Sequence, residues 1–364
     1  MDNKLYSIAL NMVDGVDRIN YYKLMGHFGD LERVFSASQE ELMKGAGIRE
    51  KAASSIKSFR LEEELNRELN QIQKSGVTVL TTDDKEYPSN LKTIFDPPPV
   101  LYVRGKIVES DAIAVAVVGS RSPTHYGKLV TEKISKGLAE MGVTIVSGMA
   151  RGIDSIAHIS AISCGGRTIA VLGCGLNIVY PSENVKLMNE IMNHGAVISE
   201  FCMSTKPNKM NFPQRNRVIS GLSLGTVVTE AAEKSGSLIT SRHAIEQGRE
   251  VFAVPGCINV LKSQGTNRLI KMGAKLVESV EDITNEFPQD VRSFLKPEKR
   301  NRDIDCNLTG SEKLVFSLID TELRHIDTII EQSNLPVGVV SGILLNLELK
   351  GLIKQLSGKM FVRG

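Results

Sequence analysis

The sequence predicts a doubly wound α/β protein with a small helical domain before the sheet and a winged-helix-like domain after it. Between Ile113 and Ser279, short apolar and β-branched runs (IAVAVVGS, VTIVSG, TIAVLGCG, AVISEF, GTVVTEA, VFAVPG) alternate with helical stretches. Runs of that length, apolar on both faces and separated by helices, belong to parallel strands. Nearly every run gives way at its carboxyl end to small or polar residues (GSRS, SGMARGID, GCGL, SEF, TEAAEKSGS, PGC). Open α/β sheets bind ligands at that edge, so the ligand edge is legible together with the fold.

The elements follow in order. Residues 1–65 carry helical periodicity and no strand signal, which predicts a helical (SAM/helix-hairpin-helix-like) domain. Its Gly45-x-Gly47-Ile48 turn either aims backbone N–H groups at a phosphate or serves only as a tight turn. Residues 66–287 form the sheet domain, into which GVTVLTTDDKEYPSNLKTIFDPPPVLYVRG adds two strands joined through the turn cluster Asp96–Pro99. Residues 288–307 are polar, carry Pro288 and Pro297 and break the periodicity, as a linker does. Residues 308–364 predict three helices, about 310–319, 325–333 and 336–350, and a hairpin turning at Ser357-Gly358. Three helices and a hairpin outline a winged helix.

Composition narrows the function classes. The chain has 364 residues, 41% hydrophobic and 24% charged, with a net charge of only +2, so attraction to a polyanion must come from local clustering. Five cysteines (Cys164, Cys174, Cys202, Cys257, Cys306) are odd in number and contain no C-x-x-C pair. That argues against a disulfide framework and a zinc site, and for a reducing cytoplasm. No apolar run approaches the ~18 residues of a membrane span. Neither a metal nor a cofactor is expected.

The clustering is found between Glu200 and Glu230, a stretch with no acidic side chain that holds Lys206, Lys209, Arg215 and Arg217 with Phe201 and Phe212. Cations beside an aromatic ring suit phosphates and exposed bases, hence single-stranded nucleic acid. A helix starting at Pro213 presents Arg215 and free N–H groups on the ligand edge, with Phe212 placed to stack on a base. The alternative is a core phenylalanine and a solvated charged face. Phe201, directly after a strand, reads as core.

Other candidates line the same edge. Gly119, Ser120 and Arg121 stand between a strand and a helix beginning near Gly127, where backbone N–H groups and a guanidinium converge on an anion. Neither a dinucleotide fingerprint nor a P-loop fits, since positions 121 and 124 hold Arg121 and Thr124, and Gly173-x-Gly175 has Ile178 where a third glycine belongs. Arg151 either binds phosphate or pairs with Asp154, itself a candidate N-cap. Ser237 and Thr240, with Ser235, offer hydroxyls beside a helix N-terminus or merely cap it. The six histidines form no metal-ligand spacing, and no G-x-S-x-G elbow occurs. Glu200 and Glu230, each ending a strand, are candidates for general acid or base, for capping, or for pairing with Arg215 or Arg217.

The set GSR at 119–121, SGMARGID at 147–154, YPSEN at 180–184, FPQRNRVISGLS at 212–223, SGSLIT at 235–240 and PG at 255–256 resembles the DNA-processing protein A (DprA/Smf) family. The resemblance implies an extended Rossmann-like domain that binds single-stranded DNA without base specificity, protects incoming strands in natural transformation and loads the RecA recombinase. It implies a homodimer and no catalytic turnover. By the same resemblance Arg121, Lys209 and Phe212 grip the strand, Lys186 is a further basic candidate, and Arg215, Asn216 and Arg217 match the family's RNR signature. The groove-reading helix of the terminal domain has Lys350 as its one cation, which turns expectation toward protein contact or regulation. A second class is a nucleotide hydrolase similar to the phosphoribohydrolases. Their P-G-G-x-G-T-x-x-E run is replaced here by GLSLGTVVTE, which places Glu230 one residue late.

Overall fold

The computed structural model describes residues 2–296, 308–320 and 323–363. They divide into two compact units, Met1–Pro297 and Glu298–Gly364.

The first unit opens with α1 (Asn3–Met12), α2 (Arg18–Phe28), α3 (Leu31–Ser36), α4 (Gln39–Lys44), α5 (Glu50–Ser58) and α6 (Leu61–Lys74). Asp17 and Asp30 accept backbone N–H groups at the starts of α2 and α3, and Ser38 forms a capping box with Glu41 at α4. Leu10, Leu24, Leu31, Leu42, Ala53 and Ile56 close a core of their own. In the Gly45-x-Gly47 turn, the N–H groups of Gly45 and Ile48 are spent on the carbonyls of Glu41 and Leu42. That segment is a turn.

Then come β1 (Thr78–Thr81), α7 (Ser89–Lys92), β2 (Val100–Gly105), β3 (Ala114–Val118), α8 (His125–Glu140), β4 (Thr144–Ser147), α9 (Ile153–Ser163), β5 (Thr168–Val171), α10 (Val185–His194), β6 (Gly195–Ser199), α11 (Asn211–Gly221), β7 (Gly225–Val228), α12 (Ser237–Glu246), β8 (Glu250–Ala253), α13 (Gln264–Lys271), β9 (Lys275–Leu276), α14 (Glu281–Thr284) and α15 (Gln289–Ser293). The strands form one sheet in the order β1-β2-β6-β5-β4-β3-β7-β8-β9. Every pair from β6 to β9 is parallel; β2 runs antiparallel to β6, with Tyr102 opposite Ser199, and β1 antiparallel to β2. Alternate residues of β3 serve opposite layers: Ala114, Ala116 and Val118 join one core, Val115 and Val117 the other. Helix α6 crosses residue 65, and Val291 and Leu295 pack on the second core, so both segments extend past the boundaries of 65 and 287 read from sequence.

The second unit contains α16 (Gly310–Ser317), β10 (Arg324–His325), α17 (Ile326–Ser333), α18 (Val337–Leu349), β11 (Ile353–Leu356) and β12 (Met360–Arg363), with β12 between β10 and β11. Val315, Ile329, Val340, Leu344 and Phe361 are buried together, the winged-helix arrangement. The exposed face of α18 carries Val339, Leu345 and Leu349. No single helix among the described residues is long and apolar enough to cross a membrane. Of the expected linker, residues 297–307, including Cys306, lie outside the described residues.

One buried group sets a pH limit on the sheet. His158 on α9 is fully buried, its Nδ1 2.6 Å from Thr168 Oγ1, while the Thr168 hydroxyl donates to Ile145 O at 2.7 Å. That hydroxyl proton is committed, so Nδ1 must be the donor, while Nε2 is buried with no partner among the described residues to take a second proton's hydrogen bond, which suits the neutral ring. Desolvation, reinforced by Arg215, lowers the His158 pKa from 6.5 to about 3. The unfolded chain therefore binds this proton more readily, and the stability concerned is present above pH 6.5 and lost as pH falls toward 3. Urea denaturation of wild type against His158→Asn is expected to show wild type losing about 2 kcal/mol more between pH 7 and pH 5.

Candidate nucleic-acid interface

The parallel strands deliver their carboxyl ends to one edge, and the loops leaving β3, β4 and β5 converge there. After β3, Ser120 N–H donates to Glu230 O at 2.8 Å and Ser120 O accepts from Ile153 N at 3.1 Å. That close approach needs Gly152, at φ +75, where a Cβ would strike the backbone of Ser120 and Arg121. Gly119 is equally confined, between Ile153 and the Glu230 carbonyl. The loop thus pins Ser120 and leaves Arg121 exposed. After β4, the Asp154 carboxylate accepts from the N–H groups of Gly148 (3.2 Å) and Ala150 (3.3 Å). Asp154 therefore ties the preceding loop; the α9 cap position is Gly152. After β5, Asn184 Nδ2 donates to Met149 O and Ser155 Oγ, both at 2.9 Å, fastening the third loop to the second.

These loops and the first turn of α11 enclose a cavity of about 220 Å³. Arg121, Tyr180, Pro181, Ser182, Phe212 and Arg215 are in its wall. The Arg121 guanidinium carbon lies 6.0 Å from the Phe212 ring centre, and the Tyr180 ring stands 5.4 Å from Phe212, tilted by 35°. Cation and π-faces share one opening. The Phe212 ring fits because Gly173 has no side chain: a Cβ there would lie 2.7 Å from Phe212 Cδ1. A larger hollow, about 530 Å³, lies at the opposite, amino edge. Its lining sets Glu86, Glu109 and Asp111 against Lys85, the wrong sign for a polyanion.

The structure brings Gly119, Ser120, Arg121, Arg151 and Phe212 to the carboxyl rim, with Arg215 buried in the cavity wall behind them. Lys209 is exposed in the turn before Phe212, and Lys186 is exposed on the first turn of α10, just past the wall residue Glu183. Arg151 is paired with Glu183, not Asp154, which raises its pKa and offsets its charge toward an incoming anion.

Three expectations need correction. Arg215 does not stand on the rim: it is 5% exposed and donates through Nη1 to the carbonyls of Gly148, at 2.8 Å, and Val171, and through Nε to Asn216 Oδ1 at 3.1 Å. Desolvation lowers its pKa to about 10 against the opposing pull of Asp154, so it remains a cation at neutral pH. Arg217, 2% exposed, gives Nη1 to Asp96 O at 2.6 Å and Nη2 to the Glu200 carboxylate, so phosphate cannot reach it. Burial pushes the Glu200 pKa up, and Arg217 pulls it down. Ser237 and Thr240 are buried, the Ser237 hydroxyl 2.8 Å from that of Ser235, and Asn216 Nδ2 is turned to Gly236 O at 3.4 Å. These groups build the edge from behind.

Sequence reasoning placed Tyr180 in the YPSEN motif at 180–184 but gave it no role as a ring of the site. It also missed Gly173 and Gly148 as clearances. A Cβ on Gly148 would lie 2.6–2.7 Å from the Arg215 guanidinium. Glu230, 3% exposed, accepts from the N–H of Thr124 at 3.0 Å and from its hydroxyl, which commits it to holding the start of α8.

Residues 78–288 match the family model described as DNA recombination-mediator protein A, and residues 302–359 match the DprA winged helix domain. DNA processing protein DprA of Bacillus subtilis (strain 168) is 43% identical over 234 residues, 64% of this chain and 79% of that protein. Protein Smf of Synechocystis is 34% identical over 98% of both chains. Among solved structures, DNA processing protein A from Streptococcus pneumoniae aligns with TM-score 0.70 and 36% identity, covering 79% of this chain and 99% of that one. The structure concerned with the single-stranded DNA binding mode of DNA processing protein A from Helicobacter pylori aligns with TM-score 0.52 and 33% identity over 57% and 94%.

Gly148→Ala is expected to displace Arg215 and cost about 1–3 kcal/mol. Urea denaturation at pH 7 measures it, and an unchanged midpoint would show that Arg215 has room to yield.

Proposed function

This chain belongs to the DNA recombination-mediator protein A family, and on that footing we propose that its carboxyl rim holds single-stranded DNA without reading base sequence. The observation that carries the reading is the juxtaposition of Arg121, Phe212 and Tyr180 around one small cavity. Phosphates are drawn by Arg121, Lys186 and Lys209; a base stacks on Phe212. No base-edge pattern is required, because every base has a π-face. Buried Arg215 adds positive potential beneath the cavity without meeting the ligand. In this reading the protein is a cytoplasmic homodimer that shields incoming strands in natural transformation and loads RecA onto them. The family's description as a recombination mediator supports that role, and the apolar, cation-poor face of α18 supports protein contact rather than duplex reading.

A binding role is favoured over nucleotide hydrolysis because Glu230, the carboxylate nearest in sequence to the hydrolase pattern, is engaged by Thr124. Free base released from nucleoside monophosphates would overturn this.

Fluorescence anisotropy with labelled poly-dT is the direct test. Neutralising about three phosphates per subunit gives a slope of log affinity against log salt of roughly −2. Arg121→Ala is expected to flatten the slope by about 0.7. Phe212→Ala is expected to cost about 1–3 kcal/mol at an unchanged slope, since stacking releases no counterions. Equal affinity for duplex, or wild-type affinity in both variants, would sink the assignment.

A further inference from the structure

The buried arginines of α11 divide their work between the two sides of the helix. Residues 215 and 217 are about 200° apart at 3.6 residues per turn. Arg215 faces the cavity floor, while Arg217 faces the loop before β2 and the exit of β6. We infer that Arg217 is a positioning residue: with Arg18, Asp96 and Glu200 it forms a latch that fixes α11, and with it the Phe212 ring, to the N-terminal helical bundle.

Both partners of Arg217 are themselves held by the bundle. The Asp96 carboxylate is shared between Arg217, whose Nε is 3.7 Å away, and Arg18 of α2, which it pairs with directly. Tyr22 of α2 donates to the next carbonyl, Pro97 O, at 3.2 Å. Glu200, whose carboxylate takes Arg217 Nη2, accepts through its backbone carbonyl from Asn11 Nδ2 of α1 at 3.1 Å. Two cations and two carboxylates are thus gathered in a neutral cluster, with Arg217 at its most buried point. Charge complementarity at that depth tolerates little displacement, because a guanidinium that leaves its carboxylates finds no water to replace them. Other ties, Lys4 to Asp84 at 3.0 Å and Met203 N–H to Glu68 at 2.8 Å, hold the bundle to the sheet domain without touching α11. The latch is therefore separable from the docking of the bundle, and Arg18 is the member through which to open it.

The effect on the strand rests on the binding reading; the effect on the ring does not. The chain contains no tryptophan, so Phe212→Trp in the full-length protein places its sole indole at the cavity, read by excitation to the red of tyrosine absorption. Without DNA, adding Arg18→Ala to Phe212→Trp is expected to shift its emission to the red and raise acrylamide quenching. Asp96→Asn, which keeps the backbone acceptor and removes the shared charge, is expected to do the same, and Arg18→Lys to restore much of the original spectrum. In the Phe212 background, Arg18→Ala is expected to weaken poly-dT binding about threefold to tenfold with an unchanged salt slope, as for a lost stacking geometry rather than a lost phosphate contact. Identical emission and quenching with and without Arg18, or an affinity change under about twofold, overturns the latch. Failure of wild type to bind poly-dT overturns the strand reading instead and leaves the emission comparison to decide.

Discussion

A guanidinium removed from water has to be given acceptors, and the carboxyl edge of this sheet is arranged around doing so for Arg215. In a parallel sheet the last carbonyls of adjacent strands project past the ladder with no partner of their own. Arg215 donates to the carbonyls of Gly148 and Val171, where β4 and β5 end, and so joins, from beneath, two loops that Asn184 also fastens together. Asp154 turns its carboxylate to the N–H groups of the first loop and its field to the guanidinium. Gly148 supplies the volume. Burial keeps His158 from taking a proton, and the same cation reinforces it.

From this follows the character of the opening above it. A buried positive charge in the wall of a cavity that it shares with an aromatic ring raises the local potential without presenting a hydrated head that would have to be stripped to bind a base. Arg121, free and exposed, remains to meet a phosphate. One charge shapes and the other contacts, and both stem from segments of sequence that look alike in composition.

That likeness is why the sheet and the meeting of Arg121 with Phe212 were legible in the sequence, whereas the fate of the RNR arginines was not. Strand runs announce themselves locally, and the rule that ligands lie beyond the carboxyl ends placed Gly119, Arg121 and Phe212 on one edge. The acid-free stretch from 201 to 229 also read correctly as a concentration of cations. Its composition is silent on partners, however: Arg217 is neutralised by Glu200, just outside the stretch, and by Asp96, 121 residues away. Asp96 had the sequence signature of a turn and nothing more. Gly173 failed as a nucleotide fingerprint for a physical reason that the fingerprint does not encode, namely clearance for a ring arriving from α11. Tyr180 stands in the YPSEN motif, but a motif does not say that its ring will face Phe212, which only the path of the loop decides.

The two ends of the sheet bear on how copies of the molecule can meet. One border is the four-residue β1 and the other the two-residue β9. Such stubs offer too few unpaired backbone groups in a row to template an incoming strand. Growth of this sheet from one molecule into the next is disfavoured, and contacts between copies of this unit fall more readily to helix faces and loops than to its strand edges.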